Sequence, residues 1–280
     1  MAAALDTVAG LVTGGACDAD SLAWARLRYQ HTQAVLAALR GRYKPATANK
    51  HLAALRGVLK ECWRLGLMAA DDYQRATDLQ RVKATTLPRG RALMRRELRA
   101  LFRVCRADTR PSGARDAALL AVVYGAGLRR SEVVALDMAD YAPETGALTI
   151  RAAKGRKDRL TYATNGSRIA LDGWLRVRGT EPGPLFWPVD QAGRMTARRL
   201  TAQSVLELLA RRARRARVAR FSPHDLRRTF ISDLLDAGAD ITTVAGLAGH
   251  ASVTTTARYD RRGEETKRRT AELLVVPFEG

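Results

Sequence analysis

The chain has 280 residues, enough for one large domain or two modest ones, and its 48 Lys and Arg against 28 Asp and Glu give a formal net charge of +20. A hydrophobic content of 46% argues against disorder. The charge points to a polyanionic partner: nucleic acid, an anionic membrane surface or acidic proteins.

The longest apolar run, residues 117–128, has 12 residues, whereas a membrane-spanning helix needs about 20. No Lys or Arg occurs in the first 25 residues, which include Asp6, Asp18 and Asp20. That pattern argues against a secretory leader and leads us to expect a cytoplasmic protein. Cys17, Cys62 and Cys105 are odd in number and far apart, so they specify neither a disulfide framework nor a zinc site.

Residues 1–19 are rich in Ala and Gly with little amphipathic pattern and read as a loose N-terminal extension. A helix is expected from about 21 to 39. A second follows over 47–65, where Leu52, Leu55, Val58, Leu59, Cys62 and Trp63 share one face, Thr47 caps the start and Gly66 ends it. Its opposite face offers Asn49, Lys50, Arg56 and Lys60, either a solvated face or a DNA contact. Residues 20–83 thus read as a small helical bundle, and 84–91, with Pro88 and Gly90, as a linker.

Beyond the linker, residues 92–280 read as a second domain, with helices near 94–106 and 114–124 and then the run Gly127-Leu128-Arg129-Arg130-Ser131-Glu132. Residues 147–151 and 159–164 have strand composition and flank Lys154-Gly155-Arg156-Lys157, a β-hairpin turn. The chain is then helical again almost to its end. The fold class expected is mainly α with a small β-hairpin. Residues 194–220 carry nine arginines and one acid, Glu207. Arg198, Arg199, Arg211, Arg212 and Arg215, with Arg156, are candidate phosphate contacts, which position a protein on DNA without reading its sequence.

Four features carry chemistry-bearing residues: Arg129, Lys154, the run 222–230 with His224 and Arg227, and Leu247-Ala248-Gly249-His250 followed by Tyr259. His224 and Arg227 share a face of a helix starting at Pro223, with Thr229 off that face. Singly, each feature has an ordinary structural explanation. Spacing alone does not choose between Arg129 and Arg130.

Taken in order, the set resembles the tyrosine site-specific recombinases, the phage integrase family, over essentially the whole chain. The family's first arginine follows Gly-Leu and precedes x-Ser-Glu, which selects Arg129. Its hairpin lysine aligns with Lys154, its H-x-L-R motif with His224 and Arg227, its L-x-G-H with His250, and its nucleophile nine residues later with Tyr259. Ala248 replaces a common leucine. The resemblance implies a helical core-binding domain and a catalytic domain that clamp DNA between them. It further implies four protomers on two recombination sites, accessory proteins in some systems, and strand exchange through a Holliday junction. Integrative elements and dimer resolution are the expected settings.

The chemistry of these residues agrees. In-line attack on a phosphodiester puts charge on two non-bridging oxygens, which two guanidiniums and a His250 hydrogen bond stabilise with neither metal nor cofactor. A phenol of ordinary pKa is about 0.1% ionised at pH 7, so an acceptor helps, and His224 is the candidate. Lys154 is the candidate acid for the leaving 5′-oxygen. Tyrosine attack leaves a 3′-phosphotyrosyl link that stores the bond energy, so rejoining needs no ATP. Glu132 and Asp225 either orient these groups or form structural salt bridges. The apolar residues of 271–278 pack on their own domain or, by the resemblance, on a neighbouring protomer. Two other readings are a type IB topoisomerase-like relaxase and a DNA-binding regulator without activity.

Overall fold

The computed structural model describes residues 1–83, 90–151, 158–260, 268 and 271–272. It is mostly helical with one small antiparallel sheet, and it divides into two compact units, Met1–Pro88 and Arg89–Gly280. Residues 84–89 of the expected linker, the hairpin turn with Lys154 and Arg156, and residues 273–278 of the tail lie outside the described residues. No helix among those described is long and apolar enough to cross a membrane.

The first unit contains α1 (Ala2–Thr13), α2 (Tyr29–Arg42), α3 (Pro45–Arg64) and α4 (Ala70–Thr77). The expected loose extension is instead mostly helix: α1 buries Ala4, Val8 and Ala9, packs against α3, and stops at Gly14 in the left-handed conformation. Small side chains leave little amphipathic signal, yet they let two helices approach closely. The helix expected from 21 begins eight residues later, after a 3-10 turn at Trp24–Arg26. There the extended Arg28 donates its N–H to His31 Nδ1 at 3.0 Å. Helix α3 starts two residues before Thr47 because Pro45 suits the first helical position, having no N–H to satisfy there.

Leu52, Leu55, Leu59 and Cys62 of α3 are buried, as its periodicity requires, whereas Trp63 is 41% exposed and stacks on Tyr73 at 5.2 Å. The polar face is divided. Asn49 donates to Val82 O at 2.9 Å and accepts from Val82 N at 3.0 Å, and Arg56 donates to Thr77 O and Leu79 O. These two side chains fasten the segment after α4, while Lys50 and Lys60 are exposed.

The second unit is built on α6 (Pro111–Gly125), whose residues Ala118 to Val123 are all buried between α5 (Arg95–Arg106) and α8 (Gly166–Arg178). Leu98, Leu101 and Cys105 of α5 face inward, and Arg95, Arg96, Arg99, Arg103 and Arg106 face solvent. Burial pushes the Cys105 thiol up to about 12, so it stays a thiol. Helix α7 (Arg130–Ala135) leads into β1 (Tyr141–Ala142), β2 (Ala147–Ile150) and β3 (Arg159–Tyr162), an antiparallel sheet in that order with Leu148 opposite Thr161. Helices α9 (Ala202–Arg215), α10 (Pro223–Asp236), α11 (Ile241–Ala248) and α12 (Val253–Ala257) complete the unit.

Arg212, expected among the DNA-facing cations, is buried instead. Its Nε donates to Asp116 Oδ2 and its Nη2 to Asp108 Oδ2, both at 2.7 Å, and Arg115 donates to Asp116 Oδ1 at 2.8 Å. It lies on the inward face of α9 with Val205, Leu208 and Leu209, so its charge is spent on locking α9 to the α5–α6 region.

Candidate active site

The described residues of the candidate catalytic set sit at the ends or in the first turns of helices α7, α10, α11 and α12. Arg129 sits in extended backbone just before α7, and its N–H donates to Glu132 Oε2 at 2.8 Å. Its guanidinium donates to Glu132 Oε1 at 2.6 Å and to Gly249 O at 2.9 Å, whereas Arg130 is exposed. Gly127, two residues earlier, has φ +65, and a Cβ there would lie 2.4 Å from the Phe230 ring. Glycine is therefore required for the turn that delivers Arg129.

Helix α10 supplies His224 and Arg227. Pro223 occupies its first turn, and the capping pair Ser222 and Asp225 exchanges hydrogen bonds: Asp225 Oδ2 accepts from Ser222 N at 2.9 Å and Ser222 Oγ from Asp225 N at 3.3 Å. Asp225 Oδ1 also accepts from Arg91 N at 3.0 Å. Asp225 therefore fixes the helix that carries the pair and makes no hydrogen bond to His224 among the described residues. Thr229, off their face, donates to Asp225 O at 2.8 Å and accepts from Leu93 N at 2.8 Å.

Arg227 is 1% exposed and donates to Gly127 O and Ala248 O. Arg159, on β3, donates to both Glu132 oxygens at 3.0 and 2.8 Å and to Leu247 O at 3.2 Å. The consecutive carbonyls of residues 247, 248 and 249 thus accept from Arg159, Arg227 and Arg129 in turn. They form the C-terminal end of α11, where orphan carbonyls concentrate partial negative charge. Gly249 ends that helix at φ +63, and a Cβ there would lie 2.7 Å from Arg159 Nε. The approach of the arginines therefore needs a glycine immediately before His250.

His250 Nδ1 lies 2.8 Å from Thr256 Oγ1, and its ring stacks near Tyr259 with centroids 6.2 Å apart. Tyr259 follows α12; its hydroxyl lies 3.4 Å from His224 Nε2, and the Arg228 guanidinium sits 5.0 Å above its ring. Arg129, His224 and Arg227, with Pro223 and Leu206, line a cavity of about 460 Å³.

Burial, then the charges of Arg227 and Arg129, pulls His250 down to about 4. Partial burial, then Arg228 and Arg227, lowers His224. Both imidazoles are consequently neutral at pH 7: His224 can accept a proton and His250 can donate one hydrogen bond. Burial, then Arg129, brings Arg227 down to about 10, so it keeps its charge at neutral pH. Burial alone would raise Glu132, but the hydrogen bonds and charges of Arg159 and Arg129 outweigh it and hold the carboxyl below its ordinary range. The result is an anion-receptive centre with a phenol beside a neutral base.

The structure therefore brings together Arg129, His224, Arg227, His250 and Tyr259. Lys154 and Arg156 lie outside the described residues. Of the candidate phosphate contacts, Arg198, Arg211 and Arg215 are exposed, and Arg199 is exposed while donating to Val134 O, Leu136 O and Asp137. Among the described residues no group of three or more His, Cys, Asp or Glu can hold a metal ion. Sequence reasoning missed Arg159 and Thr256. Arg159 read as an ordinary strand residue, and Thr256 is one of three consecutive threonines.

Residues 91–265 match the phage integrase family. Tyrosine recombinase XerD of Caulobacter vibrioides is 32% identical over 227 residues, covering 77% of this chain and 70% of that protein. Tyrosine recombinase XerA of Pyrococcus furiosus is 33% identical over 176 residues, covering 63% and 58%. In fold, the chain is similar to the crystal structure of XerA recombinase (TM-score 0.54, 21% identity, 89% of this chain and 84% of that one). It is also similar to the Tn1549 transposon integrase in complex with a circular intermediate DNA (TM-score 0.69, 16% identity, 89% and 86%).

Proposed function

The chain belongs to the phage integrase family, and from that premise we propose that it is a site-specific DNA recombinase that cleaves and rejoins duplex DNA. The Tyr259 oxygen attacks the scissile phosphorus in line, the P–O5′ bond breaks, and a 3′-phosphotyrosyl link forms. His224 takes the phenolic proton and Lys154 protonates the leaving 5′-oxygen. Arg129 and Arg227 supply planar, permanently charged forks to the two non-bridging oxygens, and His250 adds a hydrogen bond. Reversal by the 5′-hydroxyl of a partner strand rejoins the DNA and passes through a Holliday junction.

The observation that carries the reading is the convergence of Arg129, Arg227 and His250 on the C-terminal end of α11, with the Tyr259 hydroxyl 3.4 Å from His224. At the level of assembly, the two units clamp the duplex, Lys50, Lys60, Arg198, Arg211 and Arg215 neutralise phosphates, and four protomers act on two sites. The tail after Tyr259 couples neighbouring protomers. The protein works at the nucleoid, on sites belonging to a mobile element or to chromosome dimers, with accessory proteins where the sites require them.

The test is covalent trapping. Wild type and Tyr259→Phe are incubated with nicked duplexes from the flanks of the gene and with high-affinity DNA obtained by selection. A detergent-resistant adduct on wild type alone supports the reading. Absence of adduct on every selected DNA overturns it in favour of a DNA-binding regulator, and relaxation of plasmids lacking any selected site favours a topoisomerase-like enzyme.

A further inference from the structure

Thr256 lies in α12 between His250 and Tyr259. It is fully buried, and its hydroxyl is 2.8 Å from His250 Nδ1. Among the described residues that hydroxyl has no other side-chain hydrogen bond, and no carbonyl accepts from it. A hydroxyl has one proton to give, and a neutral imidazole has one nitrogen that donates and one that accepts.

Two arrangements are possible, and hydrogen-bond accounting separates them. If Nδ1 carried the proton and donated to Thr256, the buried hydroxyl proton would have no acceptor, and an unsatisfied buried donor is unfavourable. If Thr256 donates to Nδ1, both groups are satisfied and the ring proton resides on Nε2. Nε2 has no protein partner among the described residues. Protonation of both nitrogens would bring a fourth positive charge against Arg129, Arg159 and Arg227, which crowd the same helix end. A neutral ring in a single tautomer is what this surrounding selects.

We propose that Thr256 is a positioning residue that donates its hydroxyl proton to His250 Nδ1 and so fixes the Nε2–H tautomer, presenting an N–H to the scissile phosphate. The inference rests on the recombinase reading above. It adds a fully buried residue, with no hydrogen bond to the Tyr259 hydroxyl among the described residues, that decides whether His250 is a donor or an acceptor when the phosphate arrives. The hydrogen bond made by one ring nitrogen setting the state of the other is a general property of histidine.

The test compares wild type, Thr256→Val, which keeps the volume and removes the hydroxyl, and Thr256→Ser, which returns it. Ring nitrogen shifts of His250 in 15N-histidine-labelled, DNA-free protein report the tautomer directly. Cleavage of a nicked duplex under single-turnover conditions, with DNA affinity measured in parallel, reports the consequence. The expected result is one Nε2–H tautomer in wild type and a mixture of tautomers in Thr256→Val. That variant should cleave about tenfold or more slowly at unchanged DNA affinity, with the rate and the single tautomer regained in Thr256→Ser.

A proton on Nδ1 in wild type overturns the inference, as does an unaltered tautomer and cleavage rate in Thr256→Val. Wild type that gives no Tyr259 adduct on any selected DNA defeats the recombinase reading, while the nitrogen shifts still decide the hydrogen bond.

Discussion

Two groups of arginines in the second unit use the same side chain to opposite ends. Around the C-terminal end of α11, the guanidiniums of Arg129, Arg159 and Arg227 share one carboxylate, Glu132, and four main-chain carbonyls, those of residues 127, 247, 248 and 249. Between α9 and α6, the buried guanidiniums of Arg115 and Arg212 face the buried carboxylates of Asp108 and Asp116. The first group is oriented without being neutralised, because carbonyls fix geometry but carry no net charge. In the second, the two buried guanidiniums are matched by two carboxylates, and the exposed Arg110 also donates to Asp108 at 2.9 Å. An excess of two positive charges held in rigid geometry suits a phosphate; a balanced cluster suits a helix junction.

The largest effects should come from exchanging these roles. Arg227→Lys keeps a charge but loses the fork that spans two carbonyls, so strand cleavage should fall by about 10²–10³-fold or more. Because Arg227 is held by neutral carbonyls and pairs with no carboxylate among the described residues, the replacement should leave the denaturation midpoint close to that of wild type. Asp116→Ala breaks a buried ion pair and should cost about 3–5 kcal/mol of stability, read as a lower urea midpoint. Its cleavage rate, measured where the protein remains folded, should stay near wild type.

A smaller effect is expected at the single carboxylate of the first group. Glu132→Gln removes the charge that Arg129 and Arg159 share, and cleavage should fall about tenfold with DNA affinity retained, as loss of an orienting partner usually does. A titration further separates the two groups. His250 has a folded-state pKa of about 4, below the ordinary histidine value of about 6.5, and His224 is shifted in the same direction. Between those values the unfolded chain binds more protons than the folded one. The stability these neutral rings contribute is present above about pH 6.5 and is lost as the pH falls toward 4. Urea midpoints across that window should decline in wild type and decline less steeply in His250→Gln. The smallest effects should come from Lys50→Ala and Lys60→Ala, each lowering the salt dependence of DNA binding by about one phosphate contact without altering stability.

The candidate site was legible in the sequence because its residues sit in short motifs. His224 and Arg227 share one helical turn, and Gly249 directly precedes His250. Choosing Arg129 over Arg130 needed the family resemblance; in the structure Arg129 bonds to Glu132 and Gly249, and Arg130 is exposed. The partners were not legible. Arg212 reads as one more cation in an arginine-rich stretch because its carboxylates lie about a hundred residues away. Arg159 and Thr256 become meaningful only when β3 and α12 are packed against α11. Helix α1 escaped for a different reason: alanine buries well on a close-packed helix but contributes almost no periodic signal. In α3 the periodicity identified the buried face, yet the polar face hid two side chains, Asn49 and Arg56, that bond to the domain's own backbone.

The contrast between the two arginine groups is tested most directly by one crossed measurement: cleavage of a single nicked substrate and urea unfolding, each on both Arg227→Lys and Asp116→Ala. The account predicts that Arg227→Lys loses cleavage and keeps its midpoint, while Asp116→Ala loses midpoint and keeps cleavage. If both variants lost cleavage in proportion to stability, the division between an oriented, charged centre and a neutralised junction would be contradicted.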